Sequence, residues 1–159
     1  RAYRLDGGGD YMIPPHGTLM TQGFHSFDHP VRIDSWQPHM HLRGVAMALE
    51  MFNPETGRRD MLSQASNWTA GWNHSHMYED GYQPLIPAGA TVIITAWHDN
   101  TENNPMNPDP DQWVGAGQRT TDEMSHAWIA VTHLDEAGYE KIIAEREGRN
   151  QRALAGSDD

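Results

Sequence analysis

Thr91-Val92-Ile93-Ile94-Thr95-Ala96-Trp97-His98 is the run on which the fold turns. It is dominated by β-branched and aromatic residues, holds no glycine or proline, and follows the turn signal Pro87-Ala88-Gly89. A segment this short and this β-branched is a strand rather than a helix. Upstream, Val45-Ala46-Met47-Ala48-Leu49-Glu50-Met51-Phe52 reads as a second strand. Asn53-Pro54-Glu55-Thr56-Gly57 then turns the chain back into a partner over 59–66. A further strand is expected over 125–134. Short strands between frequent turn signals define an all-β chain, an antiparallel jelly-roll-like β-sandwich.

The ends of the chain read differently. Residues 1–17, with Gly7-Gly8-Gly9 and Pro14-Pro15, predict an irregular lead-in strand or arm. Asp135 can cap one short C-terminal helix over 135–148, with Tyr139, Ile142 and Ile143 on one face, Gly148 as its stop, and 149–159 as a polar tail. The sandwich itself is expected over 18–134. Between His98 and Met124 lies a long loop rich in asparagine, proline and aspartate, and such loops in compact domains usually carry function.

Composition narrows the partners. With 37% hydrophobic and 21% charged residues the 159-residue chain reads as one globular domain. A formal net charge of −11 repels a phosphate backbone, which argues against nucleic acid. No apolar run approaches the roughly 20 residues that span a bilayer. With no cysteine a disulfide framework is excluded. The chain opens on Arg1 rather than methionine, which is compatible equally with removal of an export signal, removal of an upstream segment or an arbitrary boundary.

Ten histidines are about twice the share of an ordinary globular chain, an enrichment that favours a metal site. In Pro38-His39-Met40-His41-Leu42-Arg43-Gly44 the two histidines stand at i and i+2, so an extended backbone offers both imidazoles from one face. That is half a metal site. A thioether such as that of Met124 would complete it for copper, because methionine favours Cu(I) and is rarely used by zinc or magnesium. His74 and His76 repeat the i, i+2 spacing, and His98 precedes Asp99-Asn100; ligation, support of a ligand and plain surface or structural roles stay open for all three. His16, His25 and His29 have no such spacing. Asp122 and Glu123 suit orienting imidazoles or receiving backbone donors better than paired acid–base work, since adjacent strand residues face opposite ways.

The ordered set resembles the copper type II, ascorbate-dependent monooxygenases, the family of peptidylglycine alpha-hydroxylating and dopamine beta-monooxygenases, in its C-terminal catalytic domain. The residues that carry the likeness are His39-Met40-His41-Leu42-Arg43-Gly44, Trp97-His98-Asp99-Asn100-Thr101, Asn104-Pro105, Asn107-Pro108-Asp109-Pro110 and Gly117 to Met124. It spans roughly residues 10–135 and is similar to bacterial relatives above all. The resemblance implies a β-sandwich, a copper held by His39, His41 and Met124, and a secreted or periplasmic location. Among nine methionines, the place in Asp122-Glu123-Met124 is what singles out Met124.

Two functions follow as expectations. One is a copper-binding, oxygen-activating monooxygenase-like domain that takes electrons from elsewhere, because the animal enzymes use a second copper domain and 159 residues hold one such domain. The other is a non-catalytic structural or redox accessory subunit on the periplasmic face of a larger membrane complex, for which exposure of the six tryptophans would be the mark. A cupin-type dioxygenase also begins with a His-x-His, but no glutamate follows His41 at the short cupin spacing.

Overall fold

The computed structural model describes residues 1–155, with side chains through Arg152. Its strands in chain order are β1 (Ala2–Asp6), β2 (Met12–Ile13), β3 (Thr18–Ser26), β4 (Val31–Met40), β5 (Gly44–Asn53), β6 (Arg58–Ser66), β7 (His76–Met77), β8 (Leu85–Ile86), β9 (Thr91–Asp99), β10 (Val114–Gly115) and β11 (Ser125–His133). One helix, α1 (Glu136–Ala155), closes the chain. The fold is the expected antiparallel β-sandwich with a C-terminal helix. One sheet has the order β1-β11-β4-β7, with β8 also on β4; the other runs β3-β9-β5-β6. A small ribbon joins β2 to β10.

Alternation along the strands builds the core. From β9 the side chains of Val92, Ile94 and Ala96 point inward and are fully buried. They meet Ile33, Trp36 and Met40 of β4 and Ala127, Ile129 and Val131 of β11 across the sandwich. Burying one large aliphatic side chain in this way stabilises by about 1.5–3 kcal/mol, so the layer formed by β4, β9 and β11 anchors everything attached to it. The predicted hairpin is present, with Gly57 at φ 68° closing the turn from β5 to β6, a conformation that glycine adopts without steric cost.

Two boundaries differ from the sequence reading. The 1–17 arm is not irregular throughout: β1 pairs antiparallel with β11 along its whole length, and Leu5 is part of the core. The helix runs through Gly148 to Ala155 rather than stopping at 148, so the expected polar tail begins as helix; the rest of it, 156–159, lies outside the described residues. A glycine inside an exposed helix costs only about 1 kcal/mol relative to alanine. On either side of it Arg146 donates to the Gln83 carbonyl (2.7 Å) and Arg149 to the Gly81 carbonyl (3.1 Å), which holds the helix to the body of the sandwich. The start is as expected, with the Asp135 carboxylate accepting the Gly138 amide at 2.7 Å as an N-cap. No described helix is long and apolar enough to cross a membrane.

Candidate metal centre

β4 and β11 lie side by side with His126 opposite His39 and Ser125 opposite Met40. Residues directly opposite on paired strands share a face. His39 and His126 therefore stand on the outward face of their sheet, while Pro38, Met40 and Ala127 fill the interior. The ladder ends at the Ser125–Met40 pair, and the next residue of each segment is His41 on one side and Met124 on the other. Their backbones are tied there: the amides of His41 and Met124 both donate to Oε1 of Glu123, the latter at 2.9 Å. Oε2 of the same carboxylate accepts the Arg43 amide at 2.8 Å.

Glu123 is 0% exposed and binds both halves of the site into one unit. Burial pushes its carboxyl above the ordinary range, against the pull of the three amides and of His41. The sequence reading of Glu123 as a receiver of backbone donors holds. Asp122 contributes its carbonyl, which lies 3.1 Å from Nδ1 of His41. A carbonyl only accepts, so Nδ1 carries the proton, and in the neutral ring Nε2 then holds the lone pair. This is the tautomer that a ligating imidazole with a supporting carbonyl adopts.

The rings of His39 and His41 are 5.4 Å apart between centroids, nearly perpendicular at 81°. His126 stacks on His39 at 4.6 Å and 29°. Burial is the main cause that lowers the pKa of both His39 and His126, the latter to about 4. Nδ1 of His126 is buried and finds no hydrogen-bond partner among the described residues. Met124 and His126 line a cavity of about 220 Å³ whose walls include Tyr11, Gly8 and Gln118. Among the described residues no three histidine, aspartate or glutamate side chains stand together as a metal-ligand group. The set inferred from sequence is of another kind, two imidazoles and a thioether, and its donors are those copper accepts.

His126 escaped the sequence reading. The signal was available: it lies two residues after Met124 at the start of an expected strand, so any face that presents Met124 also presents His126.

The long loop is built rather than slack. Asn100 is 0% exposed, and its amide nitrogen donates to the carbonyls of Pro14 (2.9 Å) and Gln112 (2.8 Å). Its Oδ1 accepts from Arg43 Nε (3.2 Å) and Asn107 (3.0 Å). Asn104 donates to the carbonyls of Leu42 and Asp99. His16, which had no defensible role in the sequence, clamps Glu102 at 2.6 Å and Asp111 at 2.8 Å. The asparagines thus fasten the loop to the backbone that carries Arg43 and, through it, His41.

The remaining histidines separate. His98 sits inside the sandwich, its ring stacked on Tyr11 at 5.7 Å and 28°, with Nδ1 4.0 Å from Glu123 Oε1. His76 packs against the buried Trp36 at 5.8 Å, whereas His74 is exposed in the connection between Trp72 and β7. The shared strand face expected for the pair does not form, because β7 comprises only His76 and Met77.

Burial lowers His98 to about pKa 4. The unfolded chain has the ordinary value near 6.5, so between those pH values it takes up a proton that the native ring refuses. Stability therefore falls as pH falls. From pH 7 to pH 5 this one ring removes about 2 kcal/mol. In urea denaturation His98→Phe, which keeps a ring against Tyr11, should lose correspondingly less over that interval; an unchanged pH slope would refute the assignment.

No protein-family model matches this chain, and no curated protein does. Among solved structures it is similar to that of infectious bursal disease virus Gt strain, at 10% identity and TM-score 0.35, covering 84% of this chain and 33% of that one. It is also similar to the Gx strain structure, at 11% identity and TM-score 0.37, covering 87% and 33%. The chain spans about a third of the length of those chains.

Proposed function

We propose that this chain is a copper-binding, oxygen-activating domain of the ascorbate-dependent monooxygenase type, with His39, His41 and Met124 as the ligands. The observation that supports it is the tie at Glu123 Oε1, which receives the amides of His41 and Met124, residues 83 positions apart in sequence, on one buried oxygen. A copper ion held there supplies one-electron chemistry toward dioxygen. The protein's part is to hold its donors. Asp122 fixes the His41 tautomer, His126 braces the His39 ring, and Glu123 sets the spacing between the two ligand-bearing segments. Secretion or a periplasmic location belongs to the same reading.

A second reading, an accessory subunit on the periplasmic face of a larger redox or membrane complex, draws on the tryptophans. Trp72 is 56% exposed, Trp113 62% and Trp128 44%, half of the six in the chain. Exposed tryptophans are typical anchors of protein interfaces. Trp128 stands 6.3 Å from His126, beside the imidazole face.

Copper titration of the metal-free protein tests the first reading. One Cu(II) per chain with nitrogen hyperfine structure is expected, and His39→Ala or His41→Ala should abolish stoichiometric uptake. Met124→Leu should retain Cu(II) and lose the sulfur scatterer around Cu(I) in X-ray absorption. Full uptake by the double histidine variant would sink the proposal. Copper uptake without copper-dependent oxidation of ascorbate would favour the accessory subunit.

A further inference from the structure

The face of α1 that meets the turn at residues 80–83 bounds a groove of about 460 Å³. It is lined by Arg32, Arg146, Arg149 and Arg152 against two carboxylates, Asp80 and Glu145. A chain of net charge −11 with eleven basic residues has gathered four of them here.

The four arginines are not equally committed. Arg32 is paired with Asp34 at 2.7 Å. Arg146, Arg149 and Arg152 have no carboxylate within ion-pair distance among the described residues. Arg146 spends one Nη2 donor on the Gln83 carbonyl, and its Nε is buried without a partner. Arg149 spends one on the Gly81 carbonyl. A guanidinium has five N–H donors, so each fork is oriented by the backbone yet retains unused donors. Burial first, then the neighbouring charges of Arg149 and Arg32, hold Arg146 below its ordinary pKa, so the three guanidinium groups lie close enough to act on one another.

We infer that this groove binds a small polyanion, a molecule carrying two or more phosphate or carboxylate groups. Planar forks match such oxyanions in bidentate fashion. A groove of this volume is in the range of small-molecule sites and is too large for a single oxyanion to fill. An extended polyanion such as nucleic acid would meet the acidic remainder of the surface, which restricts the ligand to one that fits the groove. The site is separate from the candidate metal centre. Arg32 and His39 stand at opposite ends of β4, about 23 Å apart at the usual strand rise.

The full-length, ¹⁵N-labelled protein is titrated with pyrophosphate and, separately, with citrate, at ionic strength held constant with sodium chloride. Arginine Nε–Hε resonances and calorimetry are the readouts. Saturable one-site binding of at least one anion is expected, with shifts at Arg146, Arg149 and Arg152 and none at Arg58, Arg59 or Arg119. The tighter of the two identifies the ligand as phosphate-bearing or carboxylate-bearing. The R149Q/R152Q double variant should bind at least about ten-fold more weakly, while R58Q on the far hairpin binds as the native protein does. Absence of saturable binding by both anions, shifts spread evenly over all arginines, or undiminished binding by a double variant with an intact far-ultraviolet spectrum would each overturn the inference. The resonance shifts in the native protein decide the matter even if the double variant does not fold.

Discussion

Glu123→Ala is expected to cost roughly 3 kcal/mol of stability or more, since each buried donor left without its acceptor costs at least about 1 kcal/mol and three backbone amides lose theirs together. Those amides belong to His41, Arg43 and Met124, and all three converge on the two oxygens of one fully buried carboxylate. Against a total stability of about 5–15 kcal/mol for a domain, such a loss brings the protein close to unfolding. Glu123→Gln should retain part of it, because one side-chain oxygen still accepts while the new NH₂ faces a backbone donor. Urea denaturation of both variants measures the effect. A loss below about 1 kcal/mol for the alanine variant would mean that the carboxylate is not the tie between the two strands.

Asn100→Ala follows as the next largest effect, roughly 2–4 kcal/mol, by the same physics on a different network. The substitution leaves the carbonyls of Pro14 and Gln112 and the Nε of Arg43 without the partners that a fully buried amide gave them. Asn100→Asp should be no better, since it turns a donor into an oxygen facing two carbonyls. Hydrogen exchange should report faster opening over residues 100–113 in both variants, while the amides of β9 and β5 stay protected. Uniform loosening of the whole sandwich instead would show that the asparagines serve global stability and not the loop.

Much of this architecture was legible because it rests on local chemistry. The β-branched run of β9, the turn at 53–57, the i, i+2 histidines and the Asp135 cap each state their conformation within a few residues. β1 was less visible: its inward Leu5 sits in five residues between the chain start and a glycine triplet, too short a window for alternation to stand out. The length of α1 depended on arginine contacts to a turn more than 60 residues away, which periodicity does not encode. His126 was missed for a related reason. Its place opposite His39 is a property of strand pairing, and pairing is set by the whole sandwich.

The two sides of the imidazole face are fastened by very different means. Beneath it lies a buried carboxylate holding three amides. Across it passes the segment containing Asn73, secured to Gln37 by exposed hydrogen bonds of 3.1 and 3.3 Å, each worth no more than about 1 kcal/mol. The imidazole face thus has an unyielding bed and a compliant rim. The spacing between the His41 and Met124 backbones is therefore costly to change, whereas the segment at Asn73 can shift at little cost.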